Sequence, residues 1–189
     1  MNSLSTATIV ERVRKRQRHH RPVLVAIDGA GGSGKSTLAA QLMIDLTGDA
    51  ALIAMDDFIV RDRMLDDSWE RGWDRDRLRA QVLDPLTRGE RLAYERFDWE
   101  RNALGETMEL EPALMIIVEG ITCLHPDLES YWHLRVWVET PPEIARERGR
   151  ARDADNENAQ HWNHWALNDA RYRREYRPHQ RAHVVVHSA

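Results

Sequence analysis

Eight consecutive residues, Gly29-Ala30-Gly31-Gly32-Ser33-Gly34-Lys35-Ser36, fit the spacing G-x-x-x-x-G-K-[ST]. Glycines let a backbone wrap tightly, so that successive N–H groups and the first turn of a following helix point at phosphate oxygens. In such a loop the Lys35 ammonium reaches the β- and γ-phosphates of a nucleotide. Ser36 offers a hydroxyl to Mg²⁺, and Thr37 contacts a phosphate from the first helical turn. A glycine turn that merely capped a helix would not need a lysine beside a serine.

Three carboxylates stand where they could work on what such a loop holds. Asp56-Asp57 and Glu119 each close an apolar run. A carboxylate at that position can accept a proton from an attacking hydroxyl or help hold a metal ion, and its simpler role is a helix cap or a solvated turn. Arg146, Arg148, Arg150 and Arg152 lie within two helical turns, with Arg148 and Arg152 on one face. Four arginines repel one another and a polyanion relieves the repulsion, which suggests a phosphate-clamping lid; Glu143, Glu147 and Asp153 supply the alternative of a salt-bridged surface helix.

Elements that could position these groups are legible around them. Val23–Ile27 is an aliphatic run without polar alternation, as in a strand buried on both faces of a parallel sheet, and it leads straight into the glycine loop. After the loop, Leu38, Ala39, Leu42, Met43 and Leu46 mark one face of a helix closed by Gly48. Ala50–Met55, Ala113–Val118, Leu134–Val138 and Val184–Val186 read as four further strands. Between them fall an acidic loop through Trp73, a helix from Arg75 re-aimed at Pro85 and ended by Gly89, and a β-hairpin made of Leu92–Trp99 and Glu106–Leu110. Helices over Glu143–Arg152 and Ala159–Glu175 follow. Strands alternating with helices predict one α/β domain over residues 1–189, with a mostly parallel sheet and ligands at the carboxyl ends of its strands.

Composition sets the outer bounds. A length of 189 residues with 42% hydrophobic residues suits a single core, and a net charge of -4 suggests neither bulk nucleic-acid binding nor an acidic disordered chain. The N-terminal segment 1–21 reads as an amphipathic helix whose basic cluster, with His19 and His20, fits a solvated face better than a nucleic-acid arm. One cysteine, Cys123, allows no internal disulfide, no stretch resembles a signal peptide, and no apolar run spans a bilayer, which points to the cytoplasm. Among the basic residues only Lys15 and Lys35 are lysines; the rest are arginines.

These motifs, taken in order, resemble the uridine kinase and phosphoribulokinase branch of P-loop kinases, which also includes pantothenate and nicotinamide riboside kinases. The marks are Ala26 through Thr37, Met55-Asp56-Asp57-Phe58, Trp73-Asp74, Tyr94 to Arg101, Ile117 to Ile121, and Val138-Glu139-Thr140 before the arginine helix. The resemblance implies a P-loop NTPase fold, a three-layer α/β/α sandwich with a five-stranded sheet, a small hairpin (92–111) and an Arg-rich lid (141–158). It implies transfer of the γ-phosphoryl group of ATP to a hydroxyl of a small, nucleoside-like molecule. Asp56 matches the proton acceptor, Ser36, Asp56 and Glu119 the metal side, and Arg148 and Arg152 the lid. Asp57, Trp73, Asp74, Tyr94 and Trp99 match the substrate side.

Three departures bear on the substrate. Ile59 and Trp99 replace an aromatic residue and a base-contacting histidine, and Gly149 replaces one of two adjacent lid arginines. They leave a different nucleoside, or a vitamin-like alcohol such as pantothenate or nicotinamide riboside, open as acceptor. A nucleotide-binding regulator without an acceptor is the reading from another class. Asp74, Tyr94 and Trp99 argue against it, because a switch needs no second pocket beside the phosphates. The partners expected are therefore ATP and a small molecule, with neither nucleic acid nor membrane, and the hairpin could pack against a second copy. Trp132, Trp137, Trp162 and Trp165 read as core or interface residues.

Overall fold

The computed structural model describes residues 3–16, 21–46, 48–63, 69–111 and 113–188. His19, His20 and the middle of the acidic loop lie outside them. Helix α1 (Ser3–Arg16) is followed by β1 (Val23–Gly29), whose seven residues are all buried. The phosphate loop joins β1 to α2 (Lys35–Asp45), and β2 (Ala50–Ala54) returns to the sheet.

The helix expected to bend at Pro85 does so through a widened turn. Helix α3 (Arg75–Leu78) passes into a π turn over Arg79–Leu83 and resumes as α4 (Asp84–Arg88), ending at Gly89 in the left-handed conformation. Proline lacks the N–H that an α ladder requires, and the π turn absorbs the missing bond. The hairpin pairs β3 (Leu92–Asp98) with β4 (Ala103–Leu110), with a bulge between Glu95 and Phe97. Its second strand begins three residues before the expected Glu106, because Asn102, at φ 48°, completes the turn.

Strands β5 (Met115–Glu119) and β6 (Leu134–Glu139) lead to α5 (Pro142–Arg152), α6 (Trp162–Tyr176), the short α7 (Pro178–Arg181) and β7 (Val184–His187). The five-stranded sheet has the order β2-β5-β1-β6-β7, and every pair is parallel. Helices flank it on both faces. Val23, Val25 and Ile27 of β1 pack with Ile9 and Val13 of α1 and Leu38 and Leu42 of α2; Leu24 and Ala26 face the opposite cluster with Val82, Leu86 and Tyr172. This period of two with both faces apolar is why β1 shows no polar alternation.

Register decides which side chains meet at the carboxyl edge. Glu119 is aligned with Ile27 of β1 on one side and Ala54 of β2 on the other. It therefore stands between the start of the phosphate loop and the turn that carries Asp56.

Candidate active site

The phosphate loop is held from several directions. Gly34, at φ 94°, makes the turn into α2, a conformation that a residue with a Cβ avoids. Thr140, just past β6, donates its hydroxyl to the Ser33 carbonyl at 3.0 Å. The buried Lys35 ammonium donates to Ala30 O at 2.9 Å within the same loop. Its remaining donors meet no other acceptor among the described residues. The Ser36 hydroxyl donates to Glu119 Oε1 at 3.1 Å.

Asp56 follows β2 in a 3₁₀ turn over Met55–Phe58 and borders the same cavity, which has a volume of about 710 Å³. Burial among protein atoms pushes its carboxyl above the ordinary carboxylate range, and Lys35 pulls it back. Glu119 is raised for the same reason, again against Lys35 and the bond from Ser36. Two carboxylates and one ammonium thus share a partly dehydrated corner.

On the opposite side Arg148 and Arg152 of α5 both line the cavity. Arg148 donates to Ser188 Oγ at 3.2 Å, while Arg152 forks onto Asp153 at 2.9 and 3.0 Å and lies 5.4 Å from the Trp162 ring centre. Trp73, buried, and Trp99, half exposed at the hairpin tip, complete the wall.

Three residues expected on the substrate side are not among the described residues that line this cavity. Asp57 accepts from the Tyr94 hydroxyl at 2.8 Å and lies 3.7 Å from Arg96 Nε. Tyr94 is buried and stacks on Phe58 at 5.3 Å. Asp74 caps α3 by accepting from Arg77 N at 2.9 Å, and borders a separate hollow of about 280 Å³ beside the hairpin.

The structure adds residues to which the sequence assigned no role. Asp28, fully buried at the end of β1, accepts from Gly29 N at 2.7 Å, Leu124 N at 2.8 Å and the Tyr172 hydroxyl at 2.7 Å. Asp169 accepts from Gly31 N at 2.8 Å. Burial raises each carboxyl to about 6. Trp162 is buried, as expected of a core residue, and both it and Trp165 also line the cavity. The one signal for them was spacing: Trp162, Trp165, Asp169 and Tyr172 fall on one face of a helix.

The donors present suit a hard divalent cation. Ser36, Glu119 and Asp56 offer oxygen ligands only, and among the described residues there is no cluster of three or more acidic, histidine or cysteine ligands. Such a site matches Mg²⁺, which keeps several waters and takes its other ligands from phosphates.

No protein-family model matches the chain. The uridine kinase of Lactiplantibacillus plantarum is 28% identical over 158 residues, covering 72% of this chain and 75% of that enzyme. A structure from Bacillus stearothermophilus, described as a possible uridine kinase, superposes with TM-score 0.69 at 21% identity over 95% of this chain and 99% of its own. The chain has a P-loop kinase fold and resembles uridine kinases. A second structure, from Silicibacter sp. TM1040 and provisionally described as a fructose transport system kinase, gives TM-score 0.69 at 25% identity. It covers 95% of this chain and 98% of that one. Among the described residues, no helix of this uridine-kinase-like chain is long and apolar enough to cross a membrane.

Proposed function

We propose that this chain transfers the γ-phosphoryl group of ATP to a hydroxyl of a small, nucleoside-like acceptor. The observation that carries the reading is that Asp56 and Lys35 line one cavity together with the phosphate loop and two lid arginines. A bare nucleotide switch has no use for a raised carboxylate facing the phosphate site.

Loop amides and Lys35 bind the β- and γ-phosphates. Asp56 orients the acceptor hydroxyl and takes its proton as the oxygen attacks phosphorus, and the bond to the β-phosphate oxygen breaks. The neighbouring protein atoms help Asp56 here, since a carboxylate whose proton affinity is raised is a better acceptor. Arg148, and Arg152 once it exchanges Asp153 for phosphate, offset the charge on the transferred group. Ser36, Glu119 and Asp56 would hold Mg²⁺, which supplies charge neutralisation between the phosphates. Ile59, Trp73 and Trp99 give the acceptor end an apolar, aromatic wall.

The test is Asp56→Asn. Turnover of ATP with a panel of nucleosides and small alcohols should fall by at least about 10²-fold with ATP binding retained. Unchanged turnover in a folded, ATP-binding variant would remove Asp56 from the mechanism. A second reading, a smaller hydroxylated acceptor, is favoured by the engagement of Asp74 as a helix cap and of Tyr94 behind Asp57. The sugar in the description of the Silicibacter structure is of that kind, and the same panel separates the two.

A further inference from the structure

Asp169 belongs to no motif, yet it touches the most constrained part of the phosphate loop. Asp169 is half-buried on the wall of the cavity, and a carboxylate withdrawn from water is costly unless it is hydrogen-bonded or paired. In a chain rich in arginine this one is satisfied by a backbone amide, Gly31 N at 2.8 Å, across 138 residues of sequence. A second residue of the same helix packs against the same glycine. A Cβ on Gly31 would lie 2.9 Å from the Trp162 ring, and one on Gly149 of the lid helix would lie 2.2 Å from that ring. The indole is thus seated between loop and lid, while its N–H donates to Asp153 at 2.9 Å. One turn beyond Asp169, Tyr172 bonds to Asp28, the residue that leads into the loop. Helix α6 therefore grips the loop at both Asp28 and Gly31, and it follows in the chain directly from the lid segment.

We infer that Asp169 is a positioning residue for the nucleotide: through Gly31 it holds the phosphate loop in its receiving shape and ties that shape to the place of the lid. The inference rests on the kinase reading above, because it assigns the loop to ATP. It adds a residue outside the phosphate loop, the lid arginines and the carboxylates of the β2 and β5 ends.

The experiment compares Asp169→Ala with Asp169→Asn in the full chain. It uses ATP·Mg²⁺ as the probe in calorimetric titrations, KM for ATP against kcat in steady-state turnover, and thermal unfolding without nucleotide as the control. Asp169→Ala should weaken ATP binding about tenfold and raise KM accordingly, with kcat within about twofold. Asp169→Asn, whose amide oxygen can still accept from Gly31, should bring affinity back to within about twofold of the parent. If the alanine variant does not fold, Asp169→Ser takes its place. Parental ATP affinity in the alanine or serine variant, or an asparagine variant as defective as alanine, overturns the inference and leaves the kinase reading standing. A parent protein that fails to bind ATP·Mg²⁺ at all overturns both.

Discussion

Lys35 and Lys15 are the two lysines of an arginine-rich chain, and the structure separates them cleanly. Lys35 is buried, with its ammonium 2.9 Å from Ala30 O inside a loop sized for a compact point charge. A guanidinium is planar, broader and forked, so it cannot occupy that space and still meet two phosphates. Lys35→Arg should therefore lower kcat/KM for ATP by about 10²-fold or more, measured in the same turnover assay. Lys15 is exposed and pairs at 2.5 Å with Glu11 one turn away. Arginine makes the same pair, so Lys15→Arg should leave activity unchanged and shift stability by less than about 0.5 kcal/mol in urea unfolding.

At the scale of elements, α5 and α6 are fitted to each other around one missing side chain. A glycine inside a helix costs about 1 kcal/mol relative to alanine, so Gly149 in the middle of α5 needs a reason. The reason is Trp162, whose ring fills the space a Cβ would take. Gly149→Ala should destabilise by about 1–3 kcal/mol through overpacking. In a Trp162→Leu background the same change should instead stabilise by up to about 1 kcal/mol, because only the helix propensity of alanine remains. Equal costs in the two backgrounds, measured by urea unfolding, would show that the pair is not coupled. Helix α5 also marks where the sequence stops being legible. Its arginines, the loop and the strand ends could be read because each is a local pattern: an apolar run, a glycine spacing, a carboxylate after a strand. Gly149 looked only like a lost arginine, since its partner lies 13 residues on and no motif joins them. The resemblance assigns Asp74 and Tyr94 to the substrate side, and in the folded chain one caps α3 and the other bonds Asp57. The Asp28 and Asp169 contacts cross 144 and 138 residues to Tyr172 and Gly31, and only the folded sheet brings those ends together.

For the whole molecule, the carboxyls of the buried Asp28 and the half-buried Asp169 oppose the usual acid lability. Glu70, bonded by the Tyr176 hydroxyl, and Asp153, bonded by Arg152, are held below their ordinary values, so they add stability that is lost as pH falls. Asp28 and Asp169 act in the other direction. Burial raises Asp169 from 3.8 to about 6, against the pull of the Gly31 amide and of Lys35, so the folded chain keeps a proton that the unfolded chain releases. Its contribution is complete below pH 3.8 and is lost as pH rises through about 6. A difference from 3.8 to about 6 corresponds to about 3 kcal/mol. Asparagine at 169 does not titrate, so the difference in unfolding free energy between the parent and Asp169→Asn isolates this one group from the opposing set. From pH 4 to pH 7 the parent should lose up to about 3 kcal/mol relative to the variant, with the change centred between the two values. Urea unfolding of both proteins at a series of pH values measures it. A difference that does not vary with pH would mean that the Asp169 carboxyl titrates alike in the folded and unfolded chain, and that α6 holds Gly31 without bearing the cost of a buried charge.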